Sequence, residues 1–272
     1  MLTRHRTFCL AVTAICLGYA SIGVMASPNT RVAVLGSPHS LIKLAQLSSG
    51  SVPEFAHLRI LGNNLESAFV VLSNESDQPI LAISAHWTIV GQDGKEHGSR
   101  LRCESIFTSG KPVLLSHSNI LLGPSTCATA AGASSVGRIA ASERNNLQVV
   151  IDAVEVRIQV DGILFGNGDM FGGDGPFYAA ELKERAIAAG EVALYVRAAL
   201  GEGNGRPQAC LLASQHAHAA RAASVGSKGG WHESFFGPLT MLADKDEKAF
   251  DLYLDRLSTV KLPVPIVVRD RE

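Results

Sequence analysis

From residue 57 to residue 165 apolar and polar positions alternate with a period of two, and turn-forming residues recur at short intervals. The sharpest case is residues 80–90. Leu81, Ile83, Ala85, Trp87 and Ile89 take the odd positions, with Ser84, His86 and Thr88 between them. Successive strand side chains point to opposite faces. The pattern therefore predicts one apolar face built on Trp87 and one half-polar face, as in a sheet packed on a single side. Asn74-Glu75-Ser76-Asp77-Gln78-Pro79 is a turn-rich link back to the apolar run 68–72, and Asp93-Gly94 favours a tight reversal at the far end.

A second strand is predicted over residues 147–160, with a change of phase inside it. Leu147, Val149, Ile151 and Ala153 are odd, whereas Val154, Val156, Ile158 and Val160 are even. A β-bulge near residues 152–154 accounts for both halves, as does a strand that crosses from one sheet to another. Glu155, Arg157 and Gln159 are then expected to face solvent, and Asp161-Gly162 to turn the chain back into Ile163-Leu164-Phe165. Shorter strands are expected at 31–35, 101–107, 113–116 and 120–122, with a small-residue loop over 125–135. Residues 41–47 have helical spacing and run into a Ser/Gly linker at 48–51. Roughly six to eight short strands without intervening helices predict a mainly β fold, an antiparallel two-sheet sandwich.

After Phe165 the period becomes helical. Leu182, Ala186, Ala189, Ala193, Val196 and Leu200 follow Gly175-Pro176 at steps of four and three, and Gly201 ends the run. Glu181 and Arg185 sit one turn apart on its charged side. Because the seam is mostly alanine, this helix is expected to pack along the sandwich and to hold no core of its own. Residues 208–223 read as a second, alanine-rich helix, broken by the glycines of 224–237. Asp244 is expected to cap a short helix with Glu247 in its first turn and Phe250, Tyr253, Leu254 and Leu257 on one face. Residues 204–243 are equally readable as disordered. The predicted organisation is a signal peptide over 1–26, an N-terminal strand and linker over 27–54, and a β-sandwich over 55–166. A Gly-rich loop and helix follow over 167–203, then a partly helical, partly flexible extension over 204–272.

The first 26 residues change the picture from fold to destination. Arg4 and Arg6 begin a basic start, residues 8–20 are almost uninterruptedly apolar, and Val24-Met25-Ala26 places small residues before Ser27. That order predicts a cleavable secretory signal, with an uncleaved N-terminal anchor as the alternative because residues 17–25 prolong the apolar character. Of the 24 basic residues only Arg4 and Arg6 leave with it, and none of the 25 acidic ones, so the mature chain carries 22 against 25, a net charge of −3. A mildly acidic chain without a Lys/Arg run argues against nucleic acid as partner, and no later stretch predicts a membrane span. Cys103, Cys127 and Cys210 remain after cleavage. Outside the cytoplasm Cys103 and Cys127 are candidates for a disulfide, with Cys210 left over.

Candidate chemistry is sparse. The run from Asp161 to Asp174 carries Asp169, Asn167 and several glycines, a set that suits Ca²⁺, but it lacks the spacing of an EF-hand and reads better as a turn and connector. His216 and His218 point apart on a helix and cannot share a metal with His232. The 224–230 stretch has the letters of a nucleophile elbow in the wrong spacing. Asp244, Asp246 and Glu247 suit a helix start. Trp87 is read as a core anchor. Trp231, beside His232, Phe235 and Phe236, is read either as an exposed aromatic patch for sugar or protein or as a pin for the tail. Asn74-Glu75-Ser76 is an N-glycosylation sequon, relevant only in a eukaryotic secretory route. No residue is assigned a catalytic, cofactor-binding or metal role, and no cofactor is expected.

Residues 73–87, ending in Trp87 and followed by Asp93-Gly94-Lys95, resemble a pattern in uncharacterised secreted bacterial proteins. There an Asn-x-Ser-x-x-Pro-Ile turn leads into the tryptophan strand of an immunoglobulin- or fibronectin-III-like sandwich. Residues 154–166 resemble a later hairpin of the same proteins. The resemblance implies fold and export, and no binding or catalytic residue comes with it. It lacks the antibody-type disulfide, because no cysteine precedes Trp87 in the mature chain. The expected function is therefore an exported, non-enzymatic binding or structural module of the cell envelope, periplasmic or secreted, with a protein or glycan partner. The alternative is a secreted hydrolase drawing on His86, His97, Asp161 and Asp169.

Overall fold

Trp87 is fully buried, and its indole Nε1 donates a hydrogen bond to the carbonyl of Ala68 at 2.9 Å. That bond joins two sheets, because Trp87 and the segment that follows Ala68 belong to different ones. The structure, a computed structural model, describes residues 30–47, 54–55, 68–129, 153–173, 175–223, 231–263 and 266–269. The signal-peptide reading, the 48–51 linker, residues 147–152 of the second long strand and the 224–230 stretch lie outside the described residues.

In chain order the strands are β1 (Arg31–Gly36), β2 (Ile42–Gln46), β3 (Val70–Asn74), β4 (Ile80–Gly91), β5 (Glu96–Glu104), β6 (Ser118–Leu122), β7 (Cys127–Thr129), β8 (Ala153–Phe165) and β9 (Asp169–Phe171). Four helices follow among the described residues, α1 (Gly175–Gly201), α2 (Arg206–Ala223), α3 (Trp231–Ala243) and α4 (Glu247–Thr259), and then β10 (Val267–Arg269). The larger sheet runs β10-β9-β8-β4-β5, with β1 parallel to β8 on the edge it shares with β9, and the smaller runs β2-β3-β6-β7. The fold is thus mixed, with as much helix as strand, and "mainly β" describes only its first part.

The two sheets enclose one apolar core. Ile83, Ala85, Trp87 and Ile89 of β4 and Val156, Ile158 and Val160 of β8 meet Val71, Leu72, Ile120 and Leu122 of the smaller sheet. The other face of the larger sheet is not left to water. Ala82, Leu164 and Met170 pack against Tyr178, Leu182, Val192 and Val196 of α1, together with Phe235, Leu239, Phe250 and Leu257. The molecule therefore has three layers, and the even positions of β4 look half-polar because they face helices. Alanine along α1 did not prevent a separate helical core: small side chains let the neighbours approach closely, and the aromatic and leucine residues of α3 and α4 fill what remains. Apolar residues lie all round α1: one side is buried in this core, and Phe177, Ile187 and Leu194 are exposed on the other.

Several local expectations meet a different outcome. Residues 42–46 form β2, hydrogen-bonded to β3 across a full register, so sheet pairing overrides their helical spacing. The 74–79 link carries the chain from one sheet to the other. Asp161-Gly162 is no reversal: β8 continues through it to Phe165, with Ser84 opposite Gly162 and Ala85 opposite Val160, so that Asp161 is an extra bulged residue. The expected bulge near 152–154 is present at Val154, between the Glu155 and Ala153 pairings, and it leaves Val154 41% exposed. Glu155, Arg157 and Gln159 are half-buried beside β1. Residues 231–237 belong to α3. The α4 cap is Asp246, whose Oδ1 accepts from Ala249 N at 2.9 Å, and Asp244 lies outside the helix. The strand order also departs from the immunoglobulin pattern. There the edge strand of the four-stranded sheet precedes its neighbour in the chain, whereas here the inner β6 precedes the edge β7.

Candidate functional site: a charged seam between sheet and helices

Alternation along β5 places Arg100, Arg102 and Glu104 on the helix-facing side, because they pair in register with His86, Ser84 and Ala82 of β4. Helical spacing on α1 places Glu181 and Arg185 one turn apart. The expectation that these two decorate an exposed face is corrected by the structure. Glu181 is 6% exposed and pairs with Arg102, while Arg185 pairs with Glu104 at 2.5 Å. The partners cross: the strand supplies an arginine and then a glutamate, and the helix a glutamate and then an arginine. Each guanidinium also lies against two rings. Arg185 sits 4.8 Å from the Phe107 centroid and 5.1 Å from that of Trp231, and Arg102 sits 5.3 Å from both Phe177 and Tyr178. Weakly hydrated guanidinium planes suit such ring contacts better than a strongly hydrated lysine ammonium does.

Burial pushes the Glu104 carboxyl above its ordinary value, against the opposing pull of Arg185 and Arg102. Oε1 of Glu181, Nε of Arg102 and Nε of Arg185 make no hydrogen bond among the described residues. Further along the seam Asp161 pairs loosely with Arg100 at 3.8 Å, and its second oxygen and Nδ1 of His86 are buried without a hydrogen bond among the described residues. The bulge places Asp161 between the pairings of Ala85 and Ser84 on β4. Gly172 passes directly behind it: a Cβ there would lie 2.2 Å from the Asp161 carbonyl oxygen, and its φ of +116° suits glycine alone.

The four residues held as a hydrolase alternative do not come together. His86 and Asp161 share the helix-facing side of the larger sheet, whereas His97 is paired with Ile89 on the opposite face and is exposed. Asp169 lies at the β8–β9 turn, held by Arg269 at 2.7 Å and by Asn167. The same contacts bear on the Ca²⁺ reading of this run, because Asp161 and Asp169 each face a guanidinium and Asp174 is outside the described residues. No group of three metal-ligating residues occurs among the described residues. His232 is hydrogen-bonded to Glu191 at 2.7 Å, and His216 meets Tyr195 edge-on.

The aromatic-patch reading of Trp231 gives way to its alternative. Phe235 and Phe236 are buried and Trp231 is half-buried over Arg185, so this cluster pins α3 to α1. Two clefts open elsewhere. One of about 400 Å³ lies between the turn at Ile106 and Gly110 and the end of α4 at Arg256 and Val260. The other, of about 480 Å³, has Val113, Leu114 and Leu115 beside Lys111, His117 and Asn119. None of His86, His97, Asp161 and Asp169 lines either.

Two further sites settle in the structure. Cys103 of β5 and Cys127 of β7 are bridged, with Cα atoms 6.1 Å apart, so a disulfide ties the two sheets together; Cys210 is free and buried. Asn74, read from sequence as part of a sequon, is 1% exposed. Its Nδ2 donates to the carbonyls of Gln78 and Leu115, and its Oδ1 accepts from the backbone and hydroxyl of Ser76. A residue so engaged shapes the crossing between sheets and offers no free amide to a glycan. Compared with protein-family models, curated proteins and solved structures, the chain has no match. No helix among the described residues is long and apolar enough to cross a membrane.

Proposed function

We propose that this chain is an exported, non-enzymatic binding or structural module of the cell envelope, periplasmic or secreted, whose two-sheet body is of immunoglobulin- or fibronectin-III-like type. The observation that carries the reading is the Cys103–Cys127 bridge across the two sheets. Such bonds persist in oxidising compartments, and the basic, apolar, small-residue order of the first 26 residues supports the same destination. The chemistry-bearing side chains of the seam support a structural role, since their charges are spent on joining strand to helix. A protein or glycan is the partner class in keeping with the net charge of the mature chain. The reversed order of β6 and β7 makes the body a variant of the proposed type.

A hydrolase remains the second reading, favoured by one observation: Asp161 and His86 share a face and each keeps a buried polar atom without a hydrogen bond among the described residues. The full chain expressed in a bacterium with an intact secretory pathway tests the first reading. Export predicts recovery outside the cytoplasm with Ser27 as the N-terminus, and capture of envelope components that survives His86→Ala and Asp161→Asn. Retention in the cytoplasm with residues 1–26 attached refutes it, as does a hydrolytic activity abolished by those two substitutions.

A further inference from the structure

The two apolar cores divide the larger sheet between them. One lies between the sheets and is crossed by the disulfide, and the other lies between the outer face of β4, β8 and β9 and the helices. The helical layer enters and leaves at one edge of that sheet. Gly172 and Gly173 lead from β9 into α1, and a Cβ added at Gly173 would meet nothing within 4 Å. At the other end of the layer β10 returns to lie parallel to β9, with Val267 N donating to Gly168 O at 3.0 Å. Both connections therefore sit at the β9–β10 edge. The polar attachments are on the opposite edge: Arg102–Glu181, Glu104–Arg185 and the Arg256 guanidinium on the Thr108 carbonyl all involve β5 or the turn that follows it.

We propose that the helical layer is a hinged cover. It pivots at β9, is latched at β5 by the crossed Arg–Glu pairs, and opens as a unit while the two sheets stay closed on each other. Opening uncovers the outer face of the larger sheet, with Ala82, Leu164 and Met170 beside Ser84. The latch suits this role because a buried ion pair holds geometry strictly and is strongly weakened when one partner goes.

Ala82 and Ala85 provide an internal comparison. Both are on β4 and fully buried, but Ala82 faces the helices and Ala85 the other sheet. In the full chain with its disulfide intact, Ala82→Cys and Ala85→Cys are exposed to a thiol reagent under native conditions, and labelling is read at each site by peptide mass. The hinged cover predicts that position 82 is labelled at least about tenfold faster than position 85. It also predicts that Arg185→Met speeds labelling at 82 by about tenfold or more and leaves 85 unchanged. Exchanging the charges, Glu104→Arg with Arg185→Glu, should bring the rate at 82 back toward that of the parent. If Arg185→Met does not fold, Glu181→Gln, which breaks the other crossed pair, gives the same readout. Equal labelling at the two positions, or equal acceleration of both, overturns the proposal, since only global unfolding exposes both faces together.

Discussion

Replacing Trp87 by phenylalanine separates the two things the indole does. Its ring fills the space between the sheets, and its Nε1–H satisfies the Ala68 carbonyl at 2.9 Å. Phenylalanine keeps an aromatic ring in the core but cannot donate. The stranded carbonyl is worth about 1–3 kcal/mol, and the smaller ring leaves an unfilled volume worth roughly a further 1–2 kcal/mol. A total of roughly 2–5 kcal/mol is a large part of the stability of an ordinary domain and corresponds to a fall in Tm of roughly 5–15 °C. Urea melts followed by far-UV circular dichroism give the loss. Fluorescence of the variant then comes from Trp231 alone, which reports the helical layer. A loss below about 0.5 kcal/mol, within the range of ordinary surface substitutions, would show that Trp87 does not close the space between two sheets.

Three further outcomes follow from particular contacts. Asn74→Ala removes two donated and two accepted hydrogen bonds at the crossing from β3 to β4, so a loss of roughly 2–4 kcal/mol is expected in the same melts; a near-neutral result would contradict the role given to Asn74. Burial pushes the Cys210 thiol up to about 11, so an alkylating reagent at neutral pH should spare it in the native protein and modify it in denaturant, whereas rapid native labelling would refute its burial. Because the Glu104 pKa is raised on folding, the native state binds this proton more tightly than the unfolded chain. Its contribution should favour the native state toward the ordinary carboxylate range and be lost as pH rises through the raised value. As pH rises above the ordinary carboxylate range the parent should lose stability relative to Glu104→Gln, and parallel pH profiles would refute the assignment.

What could be read from sequence was local. The alternation around Trp87 placed β4 and its buried face, and the phase change near Ala153 located a real bulge, because a period of two fixes which face each side chain takes. Asp161-Gly162 carries a hairpin signature yet lies inside a continuous strand. A Cβ at Gly162 would lie 3.3 Å from Ser84 Cβ and 3.5 Å from the Tyr178 ring, a neighbourhood that only the folded chain creates. The third layer was misjudged for the same reason. An alanine seam says little about what will pack on it, and Phe235, Phe250 and Leu257 come from segments far along the chain. The seam itself was half-visible. Arg102-Cys103-Glu104 has strand spacing and Glu181 to Arg185 has helix spacing, but their cross-pairing is a tertiary choice, and the nearest sequence signal pointed to Glu181 and Arg185 pairing with each other.

The account rests on two sheets closed over Trp87 and tied by one bond between β5 and β7. Peptide mapping of the exported, unreduced protein reads that bond directly. Cys103 and Cys127 should be recovered in one linked peptide pair, with Cys210 as a free thiol. Cys210 linked to either of them, or Cys103 and Cys127 both free in oxidised material, would contradict the arrangement of the sheets and the reading built on it.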